Sequence, residues 1–191
     1  MNEYFILMKS EWIITIIIFL LLGIKLAGKW TNDTLLPFIQ IILLLNLVAG
    51  FFFNKEGSLF DGMFHTTALL ALQKSILNAG VYLISLLFAG WYKKTENLTE
   101  FFILLLSALL GMDFLISSGN FLLFFLSLEL ATIPIAAIAN FDLEKKISSE
   151  AAMKMILSSA FSSGILLFGI SLIYGATGTI SFDALPALLT G

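Results

Sequence analysis

The chain contains no cysteine and a single histidine, His65. Without thiols it can form no disulfide, thiolate metal site or cysteine nucleophile, and one imidazole cannot build a multi-histidine metal centre. Arginine is absent too, all ten basic residues being lysines. The planar fork that grips phosphate through two hydrogen bonds is therefore missing. With a net charge of only −3, nothing marks a nucleic-acid surface. Charge of either sign is scarce, at 12% of residues.

Apolar residues fill the space left. They make up 59% of 191 residues, and the mean hydropathy of +1.01 lies outside the range of soluble domains. The few charges gather in short groups between long apolar runs, the pattern of a polytopic membrane protein with its loops. Runs able to cross about 30 Å of hydrocarbon fall at 10–27, 34–53, 67–91, 101–118, 121–140 and 150–174. They are unbroken stretches of Leu, Ile and Phe, without the alternation of a β-barrel strand. The expected fold is an all-α transmembrane bundle of about six helices, residues 1–191 forming a single membrane domain. The first run lacks a small-residue cleavage site and reads as a retained span. Residues 175–191, "GATGTISFDALPALLTG", read as a polar tail or linker.

Lysines set the expected orientation. Lys25 and Lys29, Lys93 and Lys94, and Lys145 and Lys146 follow the first, third and fifth runs, whereas the opposite side has only Lys9 and Lys55. By the positive-inside rule the N-terminus is outside. Trp12, Trp30, Trp91 and Tyr92 lie near segment ends, where interfacial anchors belong.

Ionisable residues inside the runs are the candidate site. A charged carboxylate at mid-bilayer costs roughly 2.5–3.5 kcal/mol even on a lenient scale, so it needs a partner, a proton or water. Glu129 sits in the middle of "FLLFFLSLELATIPIAAIAN". Pro134 lacks an amide hydrogen and so frees the carbonyl of Leu130, next to that acid. A kinked, hydrated helix follows, with Thr132 on the same face to bind the carboxyl or the freed carbonyl. The sixth run opens "SSEAAMK", where Ser148 or Ser149 is expected to cap, Glu150 to suit the helix dipole, and Lys154 to help set the charge of Glu129. Lys74, beside Gln73 and Asn78, and Asp113, near a segment end, are weaker candidates. Each has a plainer reading: a structural ion pair or protonated acid for Glu129, snorkelling for the lysines, an interfacial acid for Asp113 and a loop position for His65.

The run "LSLELATIPIAAIA" followed by "SSEAAMKMILSSAFSSGILLFGISLIYGATGT" resembles the fifth and sixth transmembrane helices of the antiporter-like subunits of respiratory complex I, and most closely their subunit N branch in bacterial NADH-quinone oxidoreductase. The resemblance covers all six helices and implies the N-terminal portion of a proton-translocating subunit, with neither flavin, iron–sulfur cluster, nicotinamide nor any other cofactor in this chain. It implies a multi-pass protein of the bacterial inner membrane whose partners are the lipid bilayer and other membrane subunits of complex I, quinone being reached only through the complex. It also implies roles: Glu129 as the acid of an acid–lysine pair, Lys154 as a supporting ionisable group, and Lys74 as a commonly found lysine of the third helix. The pair's own lysine belongs to a seventh helix beyond residue 191. Met155 and Ile156 replace a frequent aromatic pair, and Asp113 stands where the family is usually apolar. Two alternatives remain at this stage: a subunit of a multisubunit sodium/proton antiporter, and a structural membrane module without ion flux. An enzyme with chemistry of its own is the least expected, since the sequence offers no nucleophile–base set or metal cluster to carry it.

Overall fold

A segment apolar on every side has to satisfy its backbone within itself, and in lipid the helix is the form that does so without partners. The computed structural model describes residues 2–28, 31–52, 55–92, 97–141 and 145–189. Six of its helices are long and apolar enough to cross a membrane: α2 (Lys9–Ala27), α3 (Asn32–Phe51), α4 (Ala68–Leu87), α6 (Leu98–Ile116), α7 (Phe121–Ala139) and α8 (Lys146–Thr177). All six match the apolar runs to within about a turn. Short helices α1 (Asn2–Leu7), α5 (Ala89–Tyr92) and α9 (Leu185–Leu189) flank them, with a hairpin of β1 (Gly57–Leu59) and β2 (Phe64–Thr66) between α3 and α4. Of the expected lysines and anchors, Lys29, Trp30, Lys93 and Lys94 lie outside the described residues.

Local chemistry sets the helix ends. Thr67 caps α4 by accepting the Leu70 amide, and Asn120 caps α7 by accepting that of Leu123 at 2.8 Å. The serines expected to cap α8 lie inside its first turn instead. The helix starts from Lys145 without a side-chain cap, and the Ser149 hydroxyl donates to Asn140 at 2.8 Å. Lysine and glutamate are good helix formers, so α8 begins before its apolar stretch does. It ends at Gly178, which takes the left-handed conformation (φ 71°) that closes a helix without a β-carbon penalty.

The spans run alternately up and down. α6 is the central helix, packed against α2, α4 and α7, while α3 leans on α4, and α8 lies against α7. Ile14 and Leu21 of α2, Leu36 and Ile39 of α3, Val81 of α4, and Phe102, Leu106 and Leu109 of α6 form the apolar core. Between apolar helices in lipid, close backbone approach replaces the hydrophobic effect as the source of affinity. α6 and α7 achieve it at Gly111, where a β-carbon would sit 2.4 Å from the Ala131 amide nitrogen. α8 is the outlier, with only 6% of its apolar window buried against 39% for α6. The segment read as a tail or linker folds back beyond α8: the Phe121 amide donates to Ile180 O and the Phe182 amide to Gly119 O, pinning it to the α6–α7 turn.

Candidate functional site

Glu129 is the ninth of nineteen residues in α7, half-buried, with its Oε1 enclosed and lacking a hydrogen-bond partner among the described residues. Pro134, also buried, stands one turn further on inside the same helix. The carbonyl it frees belongs to Leu130, which is where α7 presses on Gly111. Thr132 donates to the backbone carbonyl of Glu129 at 3.4 Å and not to its carboxylate. Thr132 also lines a groove of about 470 Å³ between α7 and α8 with Leu128, Ser158, Ser159, Ser162 and Ser163. The acid is thus mid-helix and incompletely satisfied, and its helix neighbours Leu128 and Thr132 line a hydroxyl-rich groove. Lys154 does not join it. Its ammonium pairs with Glu150 one turn back at 2.6 Å, and both side chains are well exposed on the surface of α8. The (i, i+4) spacing makes the neighbouring glutamate the nearest anion, a geometry that competes with any reach across to α7.

A second group of ionisable residues gathers at the hairpin end of the bundle, among α2, α4 and α6. Lys74 is 4% exposed and its ammonium sits 2.5 Å from Oε1 of Glu11, itself 2% exposed. The Phe64 ring of β2 lies under the same ammonium at 4.9 Å. Asp113 is fully buried at 0% exposure, where an interfacial acid reaching water was expected. Its Oδ2 accepts the Ser10 hydroxyl at 2.8 Å. Oε2 of Glu11 and Oδ1 of Asp113 are enclosed without partners among the described residues. A cavity of about 20 Å³, room for one water molecule, is bounded by Ser10, Glu11, Lys74, Ser75, Lys9 and Lys55. Asn46 of α3 donates to Asn78 of α4 at 2.7 Å, and Asn78 in turn to the Lys74 carbonyl, extending the polar layer inward.

Sequence reasoning found Lys74 but missed its partner. Glu11 sits in "KSEWII" two residues after Lys9, where an acid at the head of an apolar run reads as loop chemistry. The signal was its place inside the run, above Trp12. His65 belongs to β2, where its amide donates to Ser117 O at 2.8 Å and its ring faces Asp183 at 3.7 Å. At the other end of the bundle Lys25 pairs with Glu100. Among the described residues no three His, Asp or Glu side chains gather as a metal site.

Residues 118–190, from the α6–α7 turn through α9, match the family model described as NADH:quinone oxidoreductase/Mrp antiporter, transmembrane. NADH-quinone oxidoreductase subunit N of Phocaeicola vulgatus is 49% identical over 158 residues, which is 81% of this chain and 33% of that one. The subunit N of Magnetococcus marinus is 34% identical over 200 residues, 96% of this chain and 39% of that one. This chain spans about a third of the length of the Phocaeicola vulgatus subunit. The fold agrees with this kinship: a chain of respiratory complex I from Thermus thermophilus superposes with a TM-score of 0.75 at 23% identity, covering 90% of this chain and 38% of that one. A chain of the membrane-bound sulfane sulfur reductase, an archaeal respiratory membrane complex, gives 0.70 at 24% identity over 93% of this chain and 38% of that one. The likeness to both is one of fold. Relative to the N subunits, α7 and α8 carry the motifs that announced the family, "LSLELATIPIAAIA" and "GISLIYGATGT". The Glu11–Lys74–Asp113 group lies outside the stretch matched by the family model.

Proposed function

We propose that this chain works as the N-terminal portion of an antiporter-like subunit that moves protons across the bacterial inner membrane, coupled to quinone reduction performed elsewhere in a complex of the NADH-quinone oxidoreductase kind. The observation that carries this reading is the state of Glu129: an acid at mid-span with an enclosed carboxylate oxygen that has no partner among the described residues, on a helix whose Leu128 and Thr132 line a groove rich in hydroxyls. A buried carboxylate oxygen is satisfied by a proton or by water, and both are what a proton carrier exchanges. The carbonyl freed by Pro134 gives water a second acceptor next to the acid. Proton transfer then runs between Glu129 and groove water, with serine and threonine hydroxyls of α7 and α8 orienting it.

The lysines are placed in supporting roles. Lys154 acts from the α8 surface, where a modest rotamer change would free it from Glu150. Lys74 acts from the other end, fixed by Glu11. Other membrane subunits are the expected partners, and α8, with so little of its surface covered, is where further protein is expected to pack. With the N-terminus outside, the lysine-bearing loops face the cytoplasm.

The test is Glu129→Gln in the full-length subunit within its assembled complex. Protons pumped per electron transferred should fall by at least about half, with NADH oxidation chemistry elsewhere in the complex intact. Unchanged pumping would overturn the role of Glu129. A cation-dependent pH gradient in vesicles without NADH would instead favour a sodium/proton antiporter, and altered assembly with unaltered flux would favour a structural module.

A further inference from the structure

The hairpin end of the bundle holds two buried carboxylates and one buried ammonium, and their arrangement is uneven. Lys74 is committed to Glu11 at 2.5 Å, whereas among the described residues Asp113 has the neutral Ser10 hydroxyl alone, at 2.8 Å. The ionisable groups on the elements packed around α6 at this level are few. α2 brings Glu11 and Lys9, and α4 brings Lys74; β2 brings His65, whose ring faces Asp183, and α7 carries only Glu129, nine residues into its span. Lys9 is engaged by the carbonyls of Ala49 and Phe52 at the end of α3, and Lys55 stands at the cavity with an exposed side chain. The buried cluster, with both acids ionised, would carry one uncompensated negative charge at a site with no solvent exposure, a cost of several kcal/mol.

We propose that Asp113 is a proton-binding site, holding one exchangeable proton as a neutral acid, distinct from Glu129 and at the end of the bundle opposite Lys25 and Glu100. The enclosed, unpartnered Oδ1 is the oxygen that carries the proton, and Oδ2 is the carbonyl oxygen that accepts from Ser10. Ser10 touches Asp113 and also forms part of the wall of the 20 Å³ cavity. A half-turn of the carboxyl brings the protonated oxygen to the Ser10 oxygen, which takes that proton as its own hydroxyl proton passes to a water in the cavity. When the proton leaves, Lys74 becomes the counter-ion of two carboxylates and its hold on Glu11 weakens. When it returns, the Glu11–Lys74 pair is restored and the cluster is neutral. This assignment does not rest on Glu129 and survives if that acid proves structural.

Infrared difference spectroscopy on the full-length subunit in its assembled complex tests it, comparing wild type with variants at neutral pH in H₂O and D₂O. Asp113→Asn should remove one neutral carboxylic acid band, the one that shifts in D₂O because its proton exchanges. Ser10→Ala should keep that band and move it to higher frequency, since the acid carbonyl loses its hydrogen bond. Lys74→Met, which removes the cation, should raise the neutral acids of the cluster from one to two. An Asp113→Asn spectrum identical to wild type, or a Ser10→Ala band that does not move, would overturn the assignment. If Asp113→Asn does not assemble, the Ser10→Ala shift alone decides, because it leaves the acid in place.

Discussion

At the scale of single residues the cluster around Lys74 shows how a membrane bundle tolerates charge. Glu11 and Lys74 are each nearly excluded from solvent, so each is affordable only because of the other. Removing one member strands its partner, which typically costs about 3–5 kcal/mol, whereas replacing both by neutral groups of similar size is often close to neutral. Lys74→Met alone should therefore lower the stability of the full-length subunit by about that amount, partly relieved if Glu11 takes up a proton. Glu11→Gln combined with Lys74→Met should recover most of the loss. Thermal unfolding of the three variants checks this, and a double variant as unstable as Lys74→Met would show that the pair is not the main stabilising contact. Lys154 offers the contrast: its pair with Glu150 is largely exposed on this chain, so Lys154→Met should change stability by under about 1 kcal/mol. That difference could not be foreseen from composition, because Lys74 and Lys154 both stand inside apolar runs and both look snorkel-ready.

At the scale of elements the α6–α7 pair is the hinge of the site, since it packs Leu130 and Ala131, which lie between Glu129 and Pro134, against Gly111. A β-carbon at 111 would lie 2.4 Å from the Ala131 nitrogen and 2.7 Å from the Leu130 carbonyl carbon, and backbone cannot rotate aside as a side chain would. Gly111→Ala should push the helices apart and cost about 1–3 kcal/mol. It should also change proton flux more than its stability loss explains, because the displaced segment carries the acid; unaltered flux and stability would mean that the contact is dispensable. The helices themselves were legible in the sequence, because a run of Leu, Ile and Phe longer than the hydrocarbon is thick permits little else. The hairpin was not read. Its signal, Asp61–Gly62 between apolar residues, is present in "SLFDGMFH", and Phe60, Asp61 and Gly62 all take positive φ there. The charged spacing around it looked like any loop between spans. The start of α8 was misplaced for a related reason: Lys146 and Glu150 mark a membrane boundary, and a helix does not have to stop at one. Glu129 was legible by its cost in lipid, but the Glu11–Lys74 contact joins residues far apart in sequence and no local pattern encodes it.

For the whole molecule the distribution of lysine carries the orientation. One end of the bundle holds the hairpin, α9, Lys9 and Lys55; the other holds Lys25, Lys145 and Lys146. By the positive-inside rule we propose that the second end is the cytoplasmic one. The cysteine-free sequence makes the consequence easy to read, since a single introduced thiol in this region is the only one it contains. Ser58→Cys, exposed in β1, should react with a membrane-impermeant maleimide added to intact cells stripped of their outer membrane. Lys146→Cys, exposed at the head of α8, should stay unlabelled there and react only in inverted vesicles. The opposite pattern would reverse the bundle, and with it the side on which Asp113 exchanges its proton: outside in the orientation argued here, so that the cavity beside Ser10 becomes an exit, and inside in the reversed one, so that it becomes an entry.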